Sequence, residues 1–75
     1  MIHLTRTDDA KNMARFYCVS VQRDLFGAVS LVKEWGRIGT GGTLRHEHFS
    51  DEAAADHAAQ KLITAKIRKG YARIA

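Results

Sequence analysis

The residues best suited to chemistry lie in one short run near the middle of the chain, Glu34-Trp35-Gly36-Arg37-Ile38-Gly39. On a β-strand, Trp35 and Arg37 point to the same face because they are two residues apart. The tryptophan ring is a flat apolar plate on which a base or sugar can stack, and the guanidinium is a planar fork of donors for a phosphate. Gly36 between them removes side-chain bulk from the opposite face. The run therefore suits a nucleotide-binding site, but on residue types alone we favour the alternative, in which Trp35 is a core or half-buried anchor and Arg37 a solvated strand end.

The distribution of charge favours the nucleotide-binding site. Twelve Lys and Arg face eight Asp and Glu, which gives a net charge of +4. Residues 1–60 carry a net charge of −1, whereas residues 61–75 hold five cations and no acid. A basic segment beside Trp35 and Arg37 would form a patch for phosphates. The same cations also complement the C-terminal end of a helix dipole, and the two roles are compatible.

Other chemistry-bearing residues lack the partners that a site would need. His46 and His48 share one strand face, but the sequence offers no evident third ligand, although His3 or His57 could approach in space. The glycine-rich run 39–42 lacks the Gly-Lys-Ser/Thr ending of a phosphate-binding loop and is typical of a hairpin. No serine has a supporting catalytic motif. We therefore predict no metal site, no cofactor and no enzymatic activity.

The elements that must position the Trp35 run are antiparallel strands. Alternation of side chains, rich in aromatic and β-branched residues, predicts three strands joined by short turns, over 13–22, 28–38 and 43–49. Weaker alternation predicts a short edge strand over residues 1–6, and the polar run 7–12 predicts a loop. The tail 71–75 alternates and predicts a further short strand.

A single helix follows the strands. From residue 51 the apolar period changes to that of a helix, with a stripe of alanines that continues into Leu62, Ile63 and Ile67. Ser50 is the expected N-cap, and Gly70 is the expected residue just past the C-terminal end. We predict a helix over 51–69 whose alanines let it lie close to the sheet. The predicted fold is α+β: an antiparallel meander of about four strands with one C-terminal helix packed on it.

Length and composition indicate one folded domain over residues 1–75. The chain is 45% hydrophobic and 27% charged, as in an ordinary globular domain. Its single cysteine, Cys18, excludes an internal disulfide and is expected to be a small buried apolar residue. The sequence has no apolar run of signal-peptide or membrane-spanning length. We therefore expect a cytoplasmic protein with no membrane partner.

Taken together, these motifs resemble the WGR domain, a family named for its Trp-Gly-Arg signature. Nearly the whole chain, from about Thr5 to Tyr71, is similar to that family, in its bacterial standalone type. The resemblance rests on three runs in order, Asp24-Leu25-Phe26-Gly27, Glu34-Trp35-Gly36-Arg37-Ile38-Gly39-Thr40 and Ala65-Lys66-Ile67-Arg68-Lys69-Gly70-Tyr71.

The resemblance implies both a fold and a function. The expected fold is an antiparallel sheet with one helix, and the expected function is nucleic-acid binding. In eukaryotic poly(ADP-ribose) polymerases this domain binds DNA near a break, where the motif tryptophan packs on the sugar of a terminal nucleotide. The resemblance implies that Trp35 packs on such a sugar and that Arg37 takes part in the same break-sensing surface, with Gly36 as spacer. Lys66, Lys69 and Tyr71 at the helix end are expected phosphate neighbours, and DNA is favoured over RNA.

The chain departs from that polymerase context because 75 residues leave no room for a catalytic domain. A separate protein partner that carries catalytic activity is therefore an expected second ligand. The alternative to a nucleic-acid-binding module is a protein-interaction or homo-oligomerisation module, because a small sheet exposes strand edges and Trp and Arg are common interface anchors. The sequence leaves the oligomeric state open.

Overall fold

Five antiparallel strands form one sheet in the computed structural model, which describes residues 1–74. The spatial order of the strands is β4-β3-β2-β1-β5, and one helix, α1, packs on the sheet. The elements along the chain are β1 (Ile2–Asp8), a 3₁₀ turn (Asp9–Lys11), β2 (Met13–Arg23), β3 (Val29–Arg37), β4 (Thr43–Phe49), α1 (Glu52–Arg68) and β5 (Ala72–Arg73). The predicted α+β fold with one C-terminal helix is confirmed.

The β2-β3-β4 meander sets the position of the Trp-Gly-Arg run. Trp35 lies opposite Tyr17 of β2 on one side and opposite Thr43 of β4 on the other. Gly36 and Arg37 lie opposite Phe16 and Arg15. Because directly opposed residues share a face of the sheet, Trp35 and Arg37 stand in one row with the side chains of Tyr17 and Arg15.

The first strand is interior, and the prediction of an edge strand over residues 1–6 was wrong. The short β5 pairs with β1 through Leu4 and Thr5 and so covers the outer side of β1. Residues Thr7 and Asp8, predicted as loop, extend β1 because they pair with Ala14 and Met13. The C-terminal strand is present at Ala72–Arg73, while residue 75 of the predicted segment lies outside the described residues.

The helix begins one residue later than predicted. Asp51, rather than Ser50, is the N-cap, because the Asp51 carboxylate accepts a hydrogen bond of 2.7 Å from the backbone N–H of Ala54. At the other end Gly70 has a φ of +100°, a left-handed conformation that glycine adopts freely. The N–H of Tyr71 donates to the Lys66 carbonyl at 3.1 Å, which closes a Schellman motif. This turn brings Tyr71 back beside Lys66.

The core lies between α1 and one face of the sheet. Ala55, Ala59 and Ile63 are the buried residues of the helix. The sheet contributes the buried residues Leu4, Tyr17, Val19, Val29 and Leu31. Small alanines allow the helix backbone to approach these larger side chains closely.

Cys18 lies on the opposite face of the sheet and is only half-buried, so the prediction of a buried cysteine was wrong. Its Sγ is 3.0 Å from Nδ1 of His3, its cross-strand neighbour. Desolvation first, and the charge of Glu34 second, raise the pKa of the thiol. The raised pKa keeps Cys18 in its less reactive, protonated form.

Candidate nucleic-acid interface

A groove of about 550 Å³ opens on the helix-bearing face of the sheet, next to the C-terminal end of α1. It is lined by residues from β2, β3, the β3–β4 hairpin, the start of β4, and the helix end. These residues are Arg15, Tyr17, Trp35, Gly36, Arg37, Gly41, Thr43, Lys66 and Tyr71. The volume falls within the roughly 300–1,000 Å³ of small-molecule binding clefts. The groove can therefore hold a group about as large as a nucleotide.

Three aromatic rings form one wall of the groove. The rings of Tyr17 and Trp35 are stacked, with centroids 5.9 Å apart and planes 17° from parallel. The ring of Tyr71 meets Tyr17 edge-on, at a centroid distance of 6.4 Å and an angle of 77°. Tyr17 is buried, whereas Trp35 and Tyr71 are half-buried and pack against the core cluster that contains Tyr17. A flat apolar ligand can thus contact the accessible parts of Trp35 and Tyr71, while Tyr17 packs against both rings.

Three cations accompany these rings, and no carboxylate of residues 1–74 lines the groove. Arg15 and Arg37 are exposed strand residues, and Lys66 comes from the last turn of α1. The Lys66 Nζ lies 4.5 Å from the centroid of the Tyr17 ring and 5.6 Å from that of Tyr71, within cation–π range. The groove consequently combines an aromatic wall with uncompensated positive charge.

The positive charge extends across three neighbouring strands. Arg15 lies opposite Arg6 on β1 and opposite Arg37 on β3, so the three arginines form one row on the same face. Arg37 is oriented by a hydrogen bond of 3.2 Å from its Nη1 to the carbonyl oxygen of Asn12. Like charges that face each other across strands are unfavourable, so this row favours an anion between them.

The surroundings of Lys66 in the free protein disfavour its charged form. Desolvation lowers its pKa, and the charges of Lys69 and Lys33 lower it further. A bound anion would oppose all three effects, because it stabilises the charged form of the lysine. A phosphate in the groove would therefore favour the charged form of Lys66.

Two glycines let the β3–β4 hairpin fold close against the sheet. A Cβ on Gly36 would lie 3.1 Å from the Cα of Gly42. A Cβ on Gly42 would lie 2.7 Å from the Phe16 ring and 2.8 Å from the carbonyl oxygen of Trp35. The space that Gly36 leaves on its face is therefore filled by the hairpin and Phe16, which hold the backbone of Trp35 in place.

Five of the six residues singled out in the sequence come together in the groove, namely Trp35, Gly36, Arg37, Lys66 and Tyr71. The sixth, Lys69, is the exposed C-cap of α1 and does not line the groove, although its charge acts on Lys66. The sequence reasoning missed Arg15 and Tyr17. Their alternation within β2 was visible, but their position beside the Trp-Gly-Arg run depends on the strand register.

The basic C-terminal segment does not form one patch. Lys61 and Arg68 line a separate hollow on the outer side of α1, together with His57 and Gln60. Arg73 belongs to β5 on the far side of β1. Most of the cations of the groove therefore come from the strands.

Residues 1–74 show no group of three or more His, Cys, Asp or Glu side chains placed to hold a metal ion. His48 instead contacts a serine, with its Nδ1 3.1 Å from the Ser30 hydroxyl. Among the described residues, no helix is long and apolar enough to cross a membrane.

Two relatives are similar to this chain. An uncharacterized protein, y4dW, of Sinorhizobium fredii (strain NBRC 101917 / NGR234) is 39% identical over 70 residues, which cover 93% of this chain and 34% of that protein. Protein YehF of Escherichia coli (strain K12) is 51% identical over 37 residues, or 49% of this chain and 14% of YehF. The chain thus spans about a third or less of the length of each relative. No solved structure matches significantly.

The sequence model of the WGR domain matches residues 1–75, the whole chain. The expectation from the Trp35-Gly36-Arg37 signature is therefore confirmed. WGR domains are in general nucleic-acid-binding modules and not catalytic domains. The chain belongs to the WGR domain family.

Proposed function

We propose that this chain is a non-catalytic module that binds the ends and nicks of DNA in the groove beside Trp35. The observation that carries this function is the meeting of three aromatic rings and three cations in a groove whose described lining includes no carboxylate. Stacking on aromatic rings and charge attraction to the backbone are the two interactions that proteins combine to bind exposed nucleotides.

Ends and nicks are favoured over intact duplex because of the aromatic wall. A base or sugar can pack on Trp35 only if its own face is free, and the bases inside a continuous duplex already stack on both sides. Arg15, Arg37 and Lys66 would then hold the phosphates next to the exposed nucleotide. Lys69 contributes as a further charge near the helix end. We favour DNA over RNA because of the family resemblance.

A comparison of DNA forms tests this function. Fluorescence anisotropy is measured with nicked, blunt, 5′-phosphorylated and closed-circular DNA, and with RNA of matched sequence, at two salt concentrations. We expect tighter binding to nicked and blunt DNA than to closed circles, and weaker binding of every form at higher salt. Absence of binding at low salt would refute the function. Equal affinity for all forms would leave only salt-dependent, nonspecific binding.

Four variants separate stacking from charge. Trp35→Ala should abolish the preference for ends, whereas Lys69→Ala should weaken the binding of all DNA forms. Lys66→Ala and Lys61→Ala remove the same charge from α1, but only Lys66 lines the groove. Lys66→Ala should therefore weaken binding more than Lys61→Ala. A folded Trp35→Ala protein that still prefers ends would contradict the stacking role.

A protein-interaction role is the second candidate, and the β2–β3 turn favours it. Leu25 and Phe26 are 99% and 95% exposed at the tip of this hairpin. The Asp24 carboxylate fixes the turn, because it accepts hydrogen bonds of 2.8 and 2.9 Å from the N–H groups of Phe26 and Ala28. A rigid apolar tip could contact a partner that carries the catalytic activity. Replacement of both tip residues by serine should abolish such a contact without any effect on DNA affinity.

Both relatives come from bacteria, where DNA lies in the cytoplasm, and we propose that compartment for this chain.

A further inference from the structure

One edge of the sheet is a regular and accessible strand. β4 (Thr43–Phe49) pairs with β3 on one side, and within residues 1–74 no strand pairs with its other side. Residues 43–48 are all exposed, and the strand contains neither glycine nor proline. Such an edge offers a row of backbone donors and acceptors to another strand.

The charges of β4 are arranged symmetrically about His46. Arg45 precedes it and Glu47 follows it, and both point to the helix-bearing face, in line with Lys33 and Leu31 of β3. If a second copy of β4 pairs in antiparallel fashion with His46 opposite His46, each Arg45 faces Glu47 of the other copy. Both charged pairs are then favourable.

Other registers on the same face lose this match. A shift by two residues in one direction places Arg45 opposite Arg45, and a shift in the other direction places Glu47 opposite Glu47. Either arrangement sets like charges directly opposite each other, which is destabilising. For pairing with a second copy of β4, the charges therefore favour the register centred on His46 over its neighbours on the same face.

We propose that two copies of this chain join through β4 into one continuous antiparallel sheet, with His46 on the twofold axis. This axis is perpendicular to the sheet, so the two helices and the two grooves lie on the same face. The interface is isologous, as in most homodimers. It can be tested without DNA, so its failure would leave the proposed DNA binding intact.

A charge exchange tests the interface. Glu47→Arg places an arginine opposite Arg45 in both symmetric pairs, and we expect it to raise the dimer dissociation constant by about tenfold or more in sedimentation velocity. The double variant Arg45→Glu/Glu47→Arg reverses each pair but keeps it attractive, so it should restore the wild-type constant. A wild-type chain that stays monomeric throughout the concentration series, or a double variant as weak as Glu47→Arg, would overturn the pairing.

Disulfide trapping tests the register. In a Cys18→Ser background, His46→Cys places two thiols directly opposite each other, with Cα atoms about 4.5–5.5 Å apart, within disulfide reach. Arg45→Cys alone places its two Cα atoms on the diagonal, about 7–8 Å apart, beyond the separation that a disulfide bridges without backbone movement. Mild oxidation should therefore cross-link His46→Cys, and should cross-link Arg45→Cys only when it is mixed with Glu47→Cys. Equal cross-linking of all single variants, or none at position 46, would contradict the register.

Discussion

Arg15 and Arg37 lie directly opposite each other on β2 and β3, and both line the groove. A cross-strand pair of like charges destabilises a sheet, and within the described part of the chain no acid lines the groove to compensate for this pair. The arrangement is understandable if the two guanidinium groups share an anion when the groove is occupied. At these two positions, the charges that strengthen the binding of an anion then lower the stability of the free protein.

Removal of one of these charges should have opposite effects on folding and binding. We expect Arg15→Gln to increase the free energy of unfolding by about 0.2–1 kcal/mol, because the repulsion with Arg37 disappears. The same variant should bind DNA more weakly and reduce the slope of log affinity against log salt by about one. Urea denaturation and anisotropy measure the two effects. Lys11→Gln, a charge loss outside the groove, is the control and should change neither quantity appreciably.

As the pH is raised, the affinity for DNA should begin to fall at a lower pH than it would if Lys66 had the pKa of an ordinary lysine. Desolvation, together with Lys69 and Lys33, lowers the pKa of Lys66 from its usual 10.5, so this side chain loses its charge earlier as the pH rises. Anisotropy titrations from neutral pH upward should show weakening in the window below 10.5. Lys66→Arg keeps its charge throughout, so the part of the weakening due to Lys66 should vanish. The same curve for both proteins would exclude Lys66 as its origin.

Two adjacent glycines should respond very differently to the same substitution. A Cβ on Gly42 would clash with the Trp35 carbonyl oxygen and the Phe16 ring, whereas one on Gly41 meets nothing within 4 Å. We expect Gly42→Ala to lower the free energy of unfolding by about 1–3 kcal/mol. Gly41→Ala should leave it nearly unchanged. Thermal and urea unfolding of the two variants measure the change in stability. Similar decreases for both would mean that Gly42 is not in close contact with Trp35 on β3.

Tyr17 should contribute to the alkaline limit of stability. Desolvation, and Tyr71 to a smaller extent, raise the pKa of its phenol above 10.0. Above that pH the unfolded chain releases the phenol proton while the folded chain retains it, so the free energy of unfolding falls as the pH rises. Tyr17→Phe lacks this proton. Its stability relative to wild type should therefore increase as the pH rises above about 10, as followed by urea denaturation.

Local patterns in the sequence were sufficient to predict the β2-β3-β4 meander and the helix. The alternation around Trp35 and the alanine stripe each reflect one face of one element, which needs no knowledge of the rest of the chain. Local signals could not predict that β1 lies inside the sheet, because this position depends on the pairing of Leu4 with Arg73 at the other end of the sequence. The N-cap was misassigned because Ser50 and Asp51 are both good caps, and only the observed backbone distinguishes them.

The sequence predicted the groove residues that lie close to one another along the chain, but not those that only the strand pairing brings there. Trp35, Gly36 and Arg37 are consecutive, and Lys66 and Tyr71 follow from the helix end. Arg15 and Tyr17 enter the groove through the register of β2 against β3. That register depends on how the β2–β3 turn closes, and alternation alone does not determine it.

The lining of the groove extends along the sequence from Arg15 to Tyr71 and draws on three strands and the end of the helix. All of its walls are in place only when the β2-β3-β4 meander and α1 have folded together, so occupation of the groove and folding of these elements are coupled. A ligand that fills the groove must raise the unfolding temperature in proportion to the logarithm of its concentration. Thermal shift can therefore rank unlabelled nucleotides against this protein without any assay of function.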